Sequence, residues 1–287
     1  MKKILVPVDF SKHTDISCEY AMSLAERTGA QIILFHSFFD QIYFSDGGFT
    51  TGFETGVMLT DEVVLDFYRQ KEDRLKDLAL RLGVNAKNKG GHEIHIDHEI
   101  ESGDPQVQIL MAIERIKPDL IVMGSGGIGK KRFLTGSIAK KVMDHAEVPV
   151  MAVPDPSQFS GISDILYLTG LDTSDAEMIL KIDELFKEFN PAIHCLHLNL
   201  TKQEDESGKL MQALSLNPKL APVREHCTFE VLKSDHTGDT LSSFLTSHNI
   251  HLIAFIPHRH NIFRKMFRQD LTKKDLFLTN LPILAVQ

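Results

Sequence analysis

The stretch ILVPVDFSKHTDISCEYAMSLAERTGAQIILFHSF, residues 4–38, decides the fold. It opens with a short apolar run that predicts a buried strand over residues 3–8. Apolar residues then recur at helical spacing, which predicts a helix over 13–28 that ends at Gly29. A second apolar strand follows over 31–38. A strand, a helix and a second strand in this order form the unit from which parallel α/β sheets are built.

The second half of the chain repeats this unit. Residues 165–199 read ILYLTGLDTSDAEMILKIDELFKEFNPAIHCLHLN, and both stretches turn at an Asp-x-Ser sequence that begins at Asp9 or Asp172. Both also end in a strand that carries a histidine. Further segments recur in the same order, residues 119–123 with 251–255 and residues 148–153 with 281–286. Several matching segments in one order indicate a duplication.

The rest of the first half continues the alternation of helices and strands. We predict a helix near 60–82, a strand near 92–100, a helix from Asp104-Pro105, a strand at 120–123, a helix after Gly136 and a strand at 148–153. The sequence therefore predicts two tandem α/β domains, residues 1–155 and 156–287. Each is expected to hold a five-stranded parallel sheet with helices on both faces.

Composition restricts the classes of partner. The chain has 287 residues with a formal net charge of −8, which argues against broad electrostatic binding to nucleic acid or anionic membranes. Three scattered cysteines indicate reduced thiols rather than a disulfide framework. No apolar run approaches the ~18 residues of a membrane span, and the first apolar run is too short for a signal peptide. We expect a cytoplasmic protein that binds neither nucleic acid nor membrane.

A glycine-rich loop is the strongest functional signal. Residues 123–138 read MGSGGIGKKRFLTGSI, directly after a predicted strand and before a predicted helix. Glycines let the backbone approach a ligand closely, and successive amide N–H groups in such a loop can bind an anion. The helix that follows adds the favourable field of its N-terminus. The pattern predicts a phosphate site, although a glycine-rich turn by itself is also common as a plain connection.

Together these features resemble the universal stress protein family. The resemblance is carried by an aspartate that closes strand one, Met-Gly-x-x-Gly after strand four, Gly-Ser at the next helix and Val-Pro-Val at strand five. It covers essentially the whole chain as two tandem copies. It implies a Rossmann-like α/β fold, often dimeric, in which some members bind ATP and others do not. It also implies an internal pseudo-dimer through the last strand of each half, and leaves open whether the whole chain forms a homodimer.

The resemblance also implies a set of nucleotide-binding residues. The family motif is G-x2-G-x9-G-[ST], which places Gly124 and Gly127 first and Gly136-Ser137 last. Eight residues separate Gly127 from Gly136, one fewer than the pattern, so the loop either holds phosphates more tightly or no longer holds them. Asp9 is expected to bind the ribose or adenine, to cap the following helix, or both. The other implied contacts are Pro7, Val8, Ser37, Met123, Ser125 and Ile138, and the ligand is ATP, with or without Mg²⁺.

The second half does not carry the motif. Residues 255–270, which occupy the place of the glycine loop, contain no glycine, and Pro257 removes an amide donor. We expect this half to have lost nucleotide binding although Asp172 remains. Its role is then structural or regulatory.

Three other segments suggest weaker hypotheses. His92, His95 and His98 alternate between the faces of a predicted strand, so solvated side chains of an edge strand are favoured over a metal site. The basic residues 259–274 have the apolar spacing of an amphipathic helix that packs on the sheet, which is favoured over a nucleic-acid site. The aromatic residues of 39–60 form either a lid over the crevice or a hydrophobic surface for a partner.

Three functions follow from these observations. The first is a stress-response protein that binds ATP in domain one as a sensor or regulator, with at most slow hydrolysis, because beyond Asp9 the sequence offers no obvious general base or Mg²⁺-holding cluster. The second is a nucleotide-free protein that binds an unknown protein or lipid-like partner through residues 39–60 and domain two. The third is an adenine-nucleotide phosphohydrolase, which would need catalytic residues that the sequence does not display.

Overall fold

A computed structural model gives the fold. It describes residues 1–38, 42–45, 48–51, 61–88, 93–125, 138–199, 206–233, 237–257 and 281–287. None of the helices in these ranges is long and apolar enough to cross a lipid bilayer.

The first half alternates strands and helices in the predicted order. Ser11 caps the first helix by accepting a hydrogen bond from the backbone N–H of His13, and Gly29 ends that helix with φ 69°. Asp104 caps a later helix whose first residue is Pro105. The elements are β1 (Lys3–Pro7), α1 (Lys12–Thr28), β2 (Gln31–Phe38), β3 (Ile42–Ser45), β4 (Gly48–Thr51), α2 (Asp61–Asn88), β5 (Ile96–Ser102), α3 (Pro105–Ile116), β6 (Leu120–Gly124), α4 (Ile138–His145) and β7 (Val150–Val153).

The second half repeats this order without the β3–β4 hairpin. Short 3-10 turns at 187–189, 218–220 and 224–226 connect its longer elements. These are β8 (Asp164–Leu168), α5 (Asp175–Phe186), β9 (Ala192–Asn199), α6 (Ser207–Ser215), β10 (Cys227–Lys233), α7 (Thr237–Ser247), β11 (Leu252–Phe255) and β12 (Ile283–Ala285).

The strands of both halves form one ten-stranded sheet. Its order is β10-β9-β8-β11-β12-β7-β6-β1-β2-β5, and β3 and β4 form a separate hairpin. Neighbours within each half run parallel, whereas β7 and β12 run antiparallel with Met151 opposite Leu284. The prediction of five parallel strands per half is confirmed. The last strands of the two halves pair with each other, which is the contact that the resemblance implies.

Two apolar layers cover the sheet because neighbouring residues of a strand point to opposite faces. On β1, Ile4 and Val6 belong to the layer under α1, α2, α5 and α6. Leu5 belongs to the opposite layer, under α3, α4 and α7. Each layer includes buried residues of both halves, so the junction at β7 and β12 lies within a continuous core rather than beside a cleft.

The segment between the halves packs against α1. The ring centroid of Phe159 lies 5.2 Å from that of Tyr20 and 6.1 Å from that of Phe189. Lys12, in the first turn of α1, forms an ion pair with Asp155, which lies just after β7. The chain therefore leaves the first half beside the helix that follows β1.

Three elements differ from the predicted ones. Residues 42–51 contain the hairpin β3–β4, which the sequence interpretation treats as loop; strands of four residues are too short to show a periodic pattern. Helix α2 extends to Asn88, beyond the predicted end near 82. Strand β5 begins at Ile96 rather than near 92, and it lies at one edge of the sheet as predicted.

The structure also corrects the match between the halves. Phe10 and Leu171 are equivalent, because each follows a first strand with positive φ, 57° and 60°, in strands that share one register. Gly170 therefore occupies the place of Asp9. Asp172 corresponds to Ser11 instead, and the prediction that the second half retains the Asp9 carboxylate is wrong. The predicted alignment of the halves was shifted by two residues. It matched the two Asp-x-Ser sequences, but these do not occupy the same position in the two turns.

Candidate functional site

The candidate site lies where the direction of chain winding reverses. From β1 the chain proceeds to β2 and β5 on one side, and then crosses to β6 and β7 on the other side. The carboxyl ends of β1 and β6 diverge at this point, and open parallel sheets bind ligands in such a crevice. Asp9 follows β1, and Gly124 is the last residue of β6.

Asp9 shapes the turn between β1 and α1. Its Oδ1 accepts hydrogen bonds from the backbone N–H of Ser11 at 3.0 Å and from Oγ1 of Thr14 at 2.9 Å. The Asp9 backbone N–H in turn donates to Oγ1 of Thr14 at 3.2 Å. Ser11, not Asp9, caps α1. The Asp9 residue is exposed, so its carboxylate can stabilise the turn through Oδ1 and still present Oδ2 to a ligand.

A buried histidine of β2 supports the same turn, on the face of the sheet that α1 covers. Nδ1 of His36 donates to the carbonyl oxygen of Val8 at 2.7 Å, and the backbone N–H of Val8 donates to the carbonyl of Phe35 at 2.8 Å. The ring centroid of Phe10 lies 4.6 Å from that of His36, and the Arg74 guanidinium lies 4.3 Å from the centroid of Phe10. Burial lowers the pKa of His36, so its imidazole is held neutral.

Gly124 is required by close packing. A Cβ built on Gly124 would lie 2.7 Å from Cβ of His13 and 3.1 Å from the carbonyl oxygen of His13. The first turn of α1 therefore lies directly on the backbone where the glycine-rich loop begins. Ser125 follows, 2% exposed, and its N–H donates to the carbonyl of Val153 at 2.9 Å.

Some of the remaining predicted residues lie at the crevice, and the others lie outside the described part of the chain. Pro7 ends β1, Val8 and Met123 are buried beside the crevice, and Ile138 begins α4 with 40% of its surface exposed. Ser37 lies near the carboxyl end of β2, on the face opposite His36. The structure thus places Pro7, Val8, Asp9, Ser37, Met123, Gly124 and Ser125 at the carboxyl ends of three adjacent strands. Gly127, Gly136 and Ser137 lie outside the described residues.

The same strand-to-helix turn of the second half contains a buried carboxylate at a different position. Asp175 is fully buried, and its oxygens accept hydrogen bonds of 2.6 Å from Oη of Tyr167, Oγ1 of Thr169 and the backbone N–H of Asp172. Burial next to this carboxylate raises the pKa of Tyr167. Asp175 occupies the place of Thr14 in the first half. The carboxylate that faces outward at Asp9 is therefore replaced here by one that faces the core.

Sequence reasoning did not single out His13, Thr14 or His36 as parts of the site. For His36, the sequence shows only that a histidine recurs at the matching position, His197. The structure gives both histidines the same kind of contact, since Nδ1 of His197 lies 3.1 Å from the carbonyl oxygen of Thr169. For Thr14, the sequence offers a weaker indication, namely a hydroxyl side chain in the first turn of the helix that follows Asp9. The packing of His13 on Gly124 had none, because residues so distant in sequence carry no shared pattern.

Metal binding finds no support among the described residues, where no three His, Cys, Asp or Glu side chains form a cluster that could hold an ion. His95 contacts Asp97 at 3.3 Å on the edge strand, and His92 lies outside the described part of the chain. The basic stretch 259–274 and most of residues 39–60 also lie outside it. The three cysteines are free thiols.

The fold and the crevice define an α/β protein with its candidate ligand site at the switch point of a parallel sheet. The family model for the universal stress protein family matches residues 1–154. This chain belongs to the universal stress protein family.

The chain is similar to individual proteins of this description. A universal stress protein of Methanocaldococcus jannaschii is 29% identical over 160 residues, covering 55% of this chain and 84% of the relative. The crystal structure of a universal stress protein from Archaeoglobus fulgidus covers 99% of this chain and 96% of its own, with 15% identity and a TM-score of 0.69, so it shares the two-half fold. A family member from Arabidopsis thaliana, solved with AMP bound, covers 54% of this chain with 18% identity and a TM-score of 0.35.

Proposed function

We propose that residues 1–155 form a domain that binds an adenine nucleotide, ATP, as a sensor or regulator with little or no turnover, and that residues 156–287 form a domain without nucleotide. The observation that carries the proposal is the meeting of Asp9 and Gly124 at the switch point, with a glycine-rich loop that begins at Gly124 and leads to α4.

The chemistry of this crevice suits the two ends of a nucleotide. The exposed Asp9 carboxylate accepts hydrogen bonds, which suits ribose hydroxyls or an amino group and repels phosphates. The glycine loop and the first turns of α1 and α4 offer amide N–H groups and favour phosphates. The base and sugar therefore lie towards Asp9, and the phosphates lie towards Gly124.

The described part of the site supports binding better than catalysis. Asp9 presents a carboxylate beside the crevice, but its Oδ1 already holds the turn to α1. Attack on a phosphate needs a positioned base and, as a rule, a metal held by protein oxygens. A Mg²⁺ ion here would be held mainly by the phosphates of the nucleotide. We expect hydrolysis to be slow or absent.

The test is the nucleotide content of the purified protein. Denatured protein is analysed by chromatography for ATP, ADP and AMP, and the emptied protein is then titrated with ATP, in the wild type and in Gly127→Trp. About one nucleotide per chain, lost in the variant, supports the proposal. A wild-type protein that is empty and does not bind added ATP rejects it, and favours the nucleotide-free interaction protein with partner contacts through residues 39–60 and the second half.

A further inference from the structure

Both polar groups of the peptide bond between Val8 and Asp9 are hydrogen-bonded to side chains. Its carbonyl oxygen accepts a hydrogen bond from Nδ1 of His36 at 2.7 Å. Its N–H donates to Oγ1 of Thr14 at 3.2 Å. Because a peptide unit is planar, two such bonds fix the orientation of the whole unit. The direction in which the Asp9 side chain leaves the backbone therefore depends on the position of His36.

His36 also contacts the residue on the other side of Asp9. The ring centroid of Phe10 lies 4.6 Å from that of His36, and Phe10 takes positive φ, 57°. Positive φ is uncommon for a bulky residue and is strained, so surrounding contacts must hold it in place. His36 thus holds Val8 through a hydrogen bond and Phe10 through ring packing, and Asp9 lies between these two residues.

The imidazole of His36 has no competing hydrogen bond in the described part of the chain. The residue is 6% exposed, and its Nε2 atom is buried there without a partner. Since a carbonyl oxygen only accepts, Nδ1 carries the proton of the neutral ring. Burial lowers the pKa of His36, with Lys71 and Arg74 of α2 adding to the shift and Asp9 opposing it. The single N–H of the neutral ring is therefore committed to the Val8 carbonyl.

The second half contains the same support with nothing to orient. Nδ1 of His197 lies 3.1 Å from the carbonyl oxygen of Thr169, and Leu171 takes positive φ, 60°, as Phe10 does. The residue between Thr169 and Leu171 is Gly170, which has no side chain. His197 is therefore a matched control, since it holds an equivalent turn with glycine in place of the aspartate.

Resting on the proposed nucleotide site, we infer that His36 is a positioning residue of that site, which orients the Asp9 carboxylate towards the ribose or base of the nucleotide. Its contribution to nucleotide affinity passes entirely through Asp9. The equivalent histidine of the second half contributes to stability and not to nucleotide affinity.

The experiment is a double-mutant cycle on ATP affinity, measured by calorimetry in emptied protein. Its members are the wild type, Asp9→Ala, His36→Ala and the double variant. We expect His36→Ala to weaken ATP binding about tenfold, and by no more than Asp9→Ala does. In the Asp9→Ala background the same substitution should change the affinity less than about twofold, because no carboxylate remains to be oriented.

Three further variants separate positioning from a general loss of structure. Asparagine can donate its amide N–H to the Val8 carbonyl, so His36→Asn should stay within about threefold of the wild type. His36→Phe keeps a ring beside Phe10 but has no donor; it should behave as His36→Ala does, and it takes the place of that variant in the cycle if the alanine variant does not fold. His197→Ala should leave ATP affinity unchanged.

The outcomes for the histidine and for the nucleotide site are distinguishable. The role of His36 is rejected, while the nucleotide site stands, by equal losses in both backgrounds, by an unchanged affinity in His36→Ala, or by a matching loss in His36→Asn or His197→Ala. An Asp9→Ala variant that binds ATP as the wild type does rejects that role as well. A wild type that does not bind ATP rejects the proposed function, and this inference with it.

Discussion

The two halves of this chain place a carboxylate at different depths in the same strand-to-helix turn. In the first half, Asp9 lies on the turn itself, exposed, and shares Oδ1 with Thr14 on α1. In the second half, the carboxylate belongs to the helix residue Asp175 and is fully buried, bonded to Tyr167 and Thr169. The exposed arrangement leaves an acceptor available to a ligand, whereas the buried one serves only to hold strand and helix together.

The two halves also differ at the glycine end of the crevice. Gly124 allows α1 to lie against the backbone of β6, and a run of further glycines follows it. The second half has Ile256 at this position and no glycine in the stretch that follows. One scaffold thus carries a candidate binding site in one copy and an internal brace in the other, and each of the following experiments tests one part of that contrast.

The largest expected effect concerns the brace. Asp175→Ala removes the acceptor of three hydrogen bonds and leaves the Tyr167 and Thr169 hydroxyls and the Asp172 N–H to find other partners. We expect the free energy of unfolding to fall by about 3–5 kcal/mol, as for other broken buried polar networks. Urea unfolding measures it, with Tyr167→Phe as the graded control at about 1 kcal/mol. A loss below about 1 kcal/mol for Asp175→Ala contradicts the brace.

The second effect concerns the close approach at Gly124. Gly124→Ala forces Cβ against His13, and we expect a loss of about 1–3 kcal/mol of stability together with weaker ATP binding. Gly83→Ala, within α2 and with open space around its Cβ, is the matched control and should gain up to about 1 kcal/mol. Equal thermal unfolding temperatures for the two variants would show that α1 does not press on β6 in solution.

The third effect separates the two aspartates that the Asp-x-Ser repeat brings into apparent correspondence. Asp9→Ala removes the exposed acceptor, and we expect ATP affinity to fall about tenfold or more while stability falls by only about 1 kcal/mol. Asp172→Ala should leave ATP affinity unchanged, because Asp172 occupies the place of Ser11. Calorimetric titration with ATP compares the two variants. Similar losses of ATP affinity in both would mean that Asp172 is equivalent to Asp9, which the structure contradicts.

The smallest effect is the pH dependence of the His36 contact. Burial lowers the pKa of His36 in the folded state, with Lys71 and Arg74 of α2 adding to the shift and Asp9 opposing it. The unfolded chain therefore takes up the proton first, and the stability contributed by neutral His36 is present above about pH 6.5 and is lost as the pH falls below it.

The change for one such group is at most about 1.4 kcal/mol per pH unit. Urea unfolding between pH 7.5 and pH 5.5 should show a smaller slope in His36→Asn, in which the amide can still donate to the Val8 carbonyl. A slope identical to that of the wild type would mean that folding does not change the pKa of His36.

Much of the fold was predictable because local patterns determine it. Each half has its five strands in the predicted order. Strand β2 spans residues 31–38 as predicted, because the apolar run at 32–35 indicates a strand without tertiary information. The hairpin β3–β4 was not predicted, since four-residue strands are below the length at which alternation is visible. The predicted alignment of the two halves was also wrong. The correct alignment depends on which residue takes positive φ, whereas the Asp-x-Ser sequences matched Asp172 with Asp9.

The site was predictable only in part, for a related reason. Asp9 and Gly124 were identified through motifs at the ends of strands, and the topology indeed places them in one crevice. His13, Thr14 and Asp175 were not, because their roles come from contacts across a turn or between α1 and β6. A buried carboxylate such as Asp175 looks in sequence like any acidic residue in the first turn of a helix.

The antiparallel junction of β7 and β12 has a consequence for assembly. If the two halves were separate chains, the fraction paired through these strands would depend on protein concentration. Here the short segment that links the halves gives a very high effective concentration, so dilution does not separate β7 from β12. Both edges are consumed internally, so this seam cannot exchange partners with another copy or with a relative. The chain therefore carries one glycine loop per pair of halves, a fixed stoichiometry that no change in expression level alters.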